Sequence, residues 1–290
     1  IKRYGNFCED NAGNLYTKKG KGKKLMLVAH MDEVGFMVKH IDEEGFIRFE
    51  KVGGIEDSLL EGTEVVCNGL RGVIGSYPPH VKEKVSGKEI FMDFGFSSKK
   101  EAEEEGMRIG IPIYFATRFS SRGKTMAGKA FDDRIGCSII LELIERIGEP
   151  VYETYFAFST QEEVGARGAR VLVEEIKPEC VIALEGTTAA DVPGIRESDV
   201  PASMGKGPAI TVMDKSLIAD EDLVDRLIGC ADRYQIKRPA YGGTDAGVAF
   251  GSRATVCSIP CRYIHAPLSI ARKDDVEDAL VMLERFLAQE

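Results

Sequence analysis

One stretch constrains this chain more than any other: Lys24-Leu-Met-Leu-Val-Ala-His30-Met-Asp32-Glu33. An uninterrupted apolar run of strand length has no polar face, so the strand it forms is covered on both sides, as in the parallel sheet of an α/β domain. The run stops abruptly at His30, with Asp32 two residues on. Open α/β sheets present their functional groups at the carboxyl ends of strands. A His there, with an acid beside it, suits a metal ligand whose ring is held in one orientation by a neighbouring carboxylate. A hydrogen-bonded structural histidine is the competing account, so the rest of the chain must supply partners.

The second half of the chain repeats the pattern. Val151 to Phe158, Cys180 to Leu184, Pro208 to Met213 and Thr255 to Ile259 read as strands. Between them lie helical periodicities over Arg134 to Ile147, Asp222 to Tyr234 and Asp274 to Leu287. Strands alternating with helices predict a mixed, mostly parallel sheet sandwiched by helices. Residues 36–118 differ, with short alternating runs (Phe46 to Phe49, Thr63 to Cys67, Gly72 to Gly75, Ile111 to Phe115) punctuated by Asn68-Gly69 and Tyr77-Pro-Pro79. Only Lys99 to Gly106 reads as helical there. The expected organisation is a small β-domain over 36–118, inserted into an α/β domain made of residues 1–35 and 119–290.

Composition removes several classes of function. With 38 basic residues against 47 acidic, the net charge of −9 provides no surplus to neutralise phosphates, so nucleic acid is not the expected partner. No run approaches the length of a membrane span and no signal peptide opens the sequence, which predicts a cytoplasmic protein without membrane attachment. The seven cysteines are scattered, with no Cys-x-x-Cys pair, and read as reduced thiols rather than a disulfide framework or structural zinc site. The chain begins at Ile1, which suggests a preceding segment.

Four further clusters fall at strand ends or loops. Asp132 and Asp133 follow Ala130-Phe131 just before a helix; one Asp there is explained as an N-cap, but a pair exceeds what capping needs. Glu162 and Glu163 follow the Val151 strand and precede Val164-Gly165, so at least one carboxylate points inward and needs a cation or donors. Glu185 ends the Cys180 strand. His265 follows the last strand, within Arg262-Tyr-Ile-His-Ala-Pro267. His40 and His80, in the inserted segment, are set aside as ligands. Imidazole plus hard carboxylates without thiolate suits zinc, cobalt or manganese at a catalytic site. The ligand count fits two metals sharing one carboxylate, with a neighbouring acid left as general base.

These residues resemble the TET-type dinuclear metallo-aminopeptidases, a family that includes glutamyl and deblocking aminopeptidases and members labelled cellulases or endoglucanases. The resemblance covers nearly the whole chain. It rests on Ala29-His-Met-Asp-Glu-Val-Gly35, Gly54-Ile55, Gly72-Val-Ile-Gly-Ser76 with Pro78-Pro79-His80, Gly128-Lys-Ala-Phe-Asp-Asp-Arg134, Gln161-Glu-Glu-Val-Gly165, Ala183-Leu-Glu-Gly-Thr187, Gly242-Gly-Thr-Asp-Ala246 and Ile264-His265. It implies a zinc-peptidase-like fold with a β-barrel-like insert used for dimer contacts, and a homododecamer built from dimers. Two divalent metal ions, zinc or cobalt, are implied. Asp132 would bridge them, His30 and Glu185 would complete one site, and Glu163 and His265 the other. Asp32 would orient the His30 side, and Glu162 would be general base on a water between the metals. Gly243, Thr244 and Asp245 would shape the pocket for a short peptide losing its N-terminal residue.

Glu185 stands where the family more often has Asp, the segment before Asn11 to Asn14 is shorter than usual, and Val81 to Lys88 and Val248 to Thr255 are short. A metal-dependent deacylase or dipeptidase is the alternative function on such a scaffold. An endoglucanase-type glycosidase would leave His30 and His265 unexplained and would have no Trp for a sugar platform. Gly123-Lys-Thr125 is not a P-loop, because Arg118 stands where its first Gly is required. No Ser or Cys lies in a nucleophile elbow.

Overall fold

A computed structural model describes residues 4–78, 90–239 and 242–289. Pro79, His80 and the Val81 to Lys88 stretch lie outside the described residues. The chain divides into two compact units: Ile1–Glu33 with Ser121–Ile264 and Ser269–Glu290, and Val34–Ser120 with His265–Leu268.

The strands in chain order are β1 (Cys8–Glu9), β2 (Leu15–Lys19), β3 (Lys24–His30), β4 (Gly35–Ile41), β5 (Ile47–Val52), β6 (Glu64–Cys67), β7 (Leu70–Ser76), β8 (Ile90–Asp93), β9 (Pro112–Phe115), β10 (Ser120–Arg122), β11 (Thr125–Gly128), β12 (Glu153–Ser159), β13 (Cys180–Thr188), β14 (Ala209–Thr211), β15 (Gln235–Lys237), β16 (Arg253–Cys261) and β17 (Ser269–Arg272). The helices are α1 (Lys99–Glu104), α2 (Phe131–Arg146), α3 (Arg167–Ile176), α4 (Glu221–Gly229) and α5 (Lys273–Ala288).

The first unit is built on an eight-stranded sheet in the order β1-β2-β12-β3-β13-β16-β14-β15. Its centre, β12-β3-β13-β16, is parallel, while β2 and β14 join it antiparallel. Leu25 to Ala29 are fully buried, as a central strand covered on both faces requires. Alternation sorts its side chains: Leu25, Leu27 and Ala29 join the apolar cluster of α2, α4 and α5, while Met26 and Val28 join that of α3. Register places Ser159 beside His30 and Ser258 beside Glu185, so the carboxyl ends of neighbouring strands meet along one edge.

The second unit is a closed barrel in the order β4-β5-β8-β7-β6-β9. Phe36, Ile47, Val65, Ile74, Met92 and Phe115 fill it, each at most 1% exposed. Closure removes the free edges that so short a set of strands would otherwise present.

Strands β1, β2, β10, β11, β15 and β17 were not expected from the sequence, and two helices differ from it. Helix α3 was not expected, although Ala169, Leu172, Val173 and Ile176 recur at helical spacing and are buried; the acidic pair and Gly165 just before it give the segment the look of a loop. Helix α4 ends at Gly229, five residues before Tyr234, because Cys230 to Tyr234 form the turn that returns the chain to β15.

Candidate metal and hydrolytic site

His30 ends β3 fully buried. Its Nδ1 lies 3.0 Å from the carbonyl oxygen of Asp32, and its Nε2 lies 3.1 Å from Asp132 Oδ1 and 3.5 Å from Glu185 Oε2. A ring that donates from Nδ1 to a carbonyl carries its lone pair on Nε2, toward the two carboxylates. It is therefore the backbone of Asp32 that holds the ring, with the Asp32 carboxylate 3.6 Å away.

The two aspartates before α2 have separate tasks. Neither has helical backbone angles, and the peptide between them is cis. Asp133 is fully buried; it accepts the N–H of Gly136 at 2.9 Å, capping the helix proper, and the N–H of His30 at 3.2 Å. Asp132 faces His30 and accepts the N–H of Gly186 at 3.1 Å. A Cβ on residue 186 would sit 2.8 Å from the Asp132 Cβ, so only glycine permits this approach.

Glu162 and Glu163 ride on the loop between β12 and α3. Gln161 adopts a left-handed backbone with φ 58°, which turns the chain sharply at the end of the strand. The Asp32 carboxylate accepts the N–H groups of both Glu162 and Glu163, each at 3.1 Å. Fully buried Asn14 ties the loop's base: its Oδ1 accepts from Thr160 N at 2.9 Å and its Nδ2 donates to Gly168 O at 3.0 Å. Asn14 and Asp133 are positioning residues that the sequence reading did not identify. A turn-like Asn14 and a second Asp explained as a cap gave no signal of this.

His30, Asp132 and Glu185 bring ligand atoms within 4.8 Å of one another, as do His30, Glu162 and Glu163. Carboxylate oxygens of Asp132 and Glu163 are equally close. Crowding so many acids out of water has a clear electrostatic effect. Burial, then the charge of Glu185, pushes Glu162 up to about 9 and Asp245 up to about 7. Glu185 is also raised, chiefly by burial. Burial opposes a charge on His30, but its contacts with Asp132, Asp32 and Glu185 outweigh that and raise it. Asp32 goes the other way: burial is overcome by His30 and the two loop N–H groups, and its carboxyl is lowered. A divalent cation at this cluster would offset the repulsion among the acids, and hard oxygen plus imidazole donors suit one. The residues fit a metal.

His265 groups with the barrel unit, its Nδ1 3.0 Å from the Gly54 carbonyl oxygen. Gly243 is exposed, whereas Thr244 and Asp245 are buried. The Asp245 N–H donates to Glu185 Oε1 at 3.2 Å, and Thr244 Oγ1 donates to Asp214 at 3.2 Å, so this loop abuts the His30 cluster.

Fold and site together define an α/β scaffold with a mostly parallel central sheet and a candidate metal centre at the sheet's carboxyl edge. The chain belongs to the M42 glutamyl aminopeptidase family, which matches residues 13–282. Lysyl aminopeptidase of Pyrococcus furiosus is 35% identical, the match covering 97% of this chain and 86% of that protein. The solved aminopeptidase APDkam598 of Desulfurococcus kamchatkensis superposes with a TM-score of 0.94 at 34% identity, covering 100% of this chain and 87% of that one. The TET1 peptidase of Pyrococcus horikoshii, described as assembling into a tetrahedron or a large octahedral shell, gives 0.88 at 32%, covering 100% and 91%. The chain is thus a peptidase of an aminopeptidase family, and the family and fold expected from the sequence are both met.

Proposed function

We propose that this protein is a dinuclear metal-dependent aminopeptidase that releases N-terminal residues from short peptides, with Glu162 as general base. The observation that carries the reading is the convergence of His30, Asp132, Glu185, Glu162 and Glu163 on one edge of the sheet. His30, Asp132 and Glu185 would hold one ion; Asp132, Glu163 and His265 the other, with zinc or cobalt suited to the donors. Such a pair, when bound, supplies Lewis-acid polarisation of the scissile carbonyl and charge stabilisation of the resulting oxyanion.

The chain's own residues do the rest. Glu162 takes the proton of the attacking water and returns it to the leaving amine. Asp32 and Asn14 keep the Glu162 loop in register with His30, and Asp133 fixes the start of α2 that aims Asp132. Residues 36–118 form the dimerisation domain, and dimers assemble into a dodecamer, the state described for the solved PhTET1-12s. No helix among the described residues is long and apolar enough to cross a membrane.

The Glu162→Gln variant tests the assignment. Turnover on aminoacyl anilides should fall by at least about a thousandfold, more than a general base alone typically contributes at the low end, while metal content stays near two per chain. Activity close to wild type would sink it.

A further inference from the structure

One row of side chains crosses the sheet at the candidate site. Ser159 of β12 is paired with His30 of β3, and Glu185 of β13 with Ser258 of β16. Val28 is paired with Ala183, which sets His30 level with Glu185 two residues further on. Paired residues project from the same side of a sheet, as do residues two apart along a strand. Ser159, His30, Glu185 and Ser258 therefore line up on one face. It is the α3 face, because Ala157, Val28, Ala183 and Val256, each two residues back, are buried in the α3 cluster.

Asp245 spans this row. It opens the short helical turn Asp245–Val248 and is fully buried. Its N–H donates to Glu185 Oε1 at 3.2 Å, and its Oδ2 accepts the Ser159 hydroxyl. One residue thus ties the end of β13 to the end of β12, across the end of β3 that carries His30. The other Glu185 oxygen, Oε2, lies 3.5 Å from His30 Nε2. A donor on one oxygen of a ligating carboxylate keeps the other oxygen aimed. The turn is also anchored from its far side. Thr244 N donates to Ser216 Oγ at 3.3 Å, and Thr244 Oγ1 to Asp214 Oδ2 at 3.2 Å. A Cβ on residue 247 would sit 2.4 Å from the Ser216 Cβ, so glycine is needed for the turn to seat there. Folding alone does not ask for an acid at 245. Its Oδ1 has no hydrogen-bond partner among the described residues, and a buried carboxylate short of partners opposes folding. The bond to Ser159 therefore points to a task at the site.

We propose that Asp245 is a positioning residue: bonded through its side chain to Ser159, it holds its own N–H where it aims Glu185 at the metal. It acts through Glu185, not on substrate. This rests on the metal centre proposed above. The test measures cobalt uptake by chelator-stripped protein in competition with a metal-binding dye, together with kcat and KM on Leu-p-nitroanilide. Asp245→Ala removes the side-chain acceptor and keeps the N–H. Ser159→Ala removes only the donor oxygen, so it reads the same bond even where Asp245→Ala fails to fold. Losing an outer hydrogen bond that orients a metal ligand typically costs about ten- to a hundredfold in affinity or activity. Each variant should bind cobalt more weakly by about that factor and lose kcat similarly, with KM within about threefold. The double variant should be no worse than either single one, because both remove one bond. Asp245→Asn, whose amide oxygen still accepts the Ser159 hydroxyl, should regain most of the loss. Wild-type cobalt affinity in folded Asp245→Ala or Ser159→Ala, whatever the melting temperature, overturns the inference. So do additive losses in the double variant, or an Asp245→Asn no better than Asp245→Ala. Wild type that binds cobalt yet cleaves no anilide overturns the aminopeptidase reading and leaves this inference standing on the affinities. Wild type that takes up no cobalt overturns both.

Discussion

Asn at position 32 is nearly the same size as Asp but has only one acceptor oxygen. In the native chain each carboxylate oxygen of Asp32 takes one N–H, from Glu162 and from Glu163, both at 3.1 Å. After Asp32→Asn one of those N–H groups keeps an acceptor and the other meets an NH2. A hydrogen bond to an ionised acceptor contributes roughly 1.5–3 kcal/mol, against about 1 kcal/mol for a neutral one. Losing one bond and weakening the other should destabilise the closed loop by about 2–5 kcal/mol. Because each 1.4 kcal/mol is a factor of ten, opening of the loop becomes about 30- to 4,000-fold more favourable. Hydrogen exchange reads this directly: amides of 160–166 should lose protection by that factor, while amides of α5 stay within about twofold. Turnover should fall with them, since Glu162 leaves its working position more often. Unchanged exchange at 160–166, or an equal rise throughout the protein, would refute the clamp.

Gly186→Ala should leave the fold intact but displace Asp132, because the new Cβ meets the Asp132 Cβ at 2.8 Å; metal retained after dialysis should drop below two per chain, and full retention would contradict the close approach as a requirement. Asp274 opens α5 in a two-pronged pair with Arg272, at 2.8 and 2.6 Å, with Lys124 at 3.3 Å. The Arg272 bonds hold its carboxyl well below the usual carboxylate range. A lowered folded value means stabilisation that is complete above the unfolded value near 4 and lost as pH falls below it. Asp274→Asn should therefore be less stable at pH 7 by about 1 kcal/mol, a gap that narrows in urea titrations between pH 4 and pH 3. A gap that widens on acidification would show the sign to be wrong.

How much of this was legible in the sequence follows from range of interaction. Strand β3 was plain because burial on both faces writes itself as an apolar run, and His30, Glu185 and the Glu162–Glu163 pair were marked by polarity breaking such runs. The short barrel strands were marked by alternation and turn residues. What stayed hidden depends on contacts between distant segments. Asn14 looks like a turn residue until Thr160 and Gly168 are brought to it, over 146 and 154 positions of chain. Asp133 is a helix cap by local rules, and its bond to His30 N exists only because β3 and α2 pack together. Helix α3 was concealed by acids and a glycine needed for the loop before it.

The most direct test of the central claim is a stripping and reconstitution series. The protein is freed of metal with a chelator, restored with zinc, cobalt or manganese, and assayed on aminoacyl anilides, N-blocked peptides and carboxymethylcellulose in parallel. The account predicts no activity in the stripped protein, recovery that saturates at two ions per chain, and cleavage of free-amine substrates alone. Full activity without metal, or hydrolysis of blocked peptides or carboxymethylcellulose in place of the anilides, would contradict it.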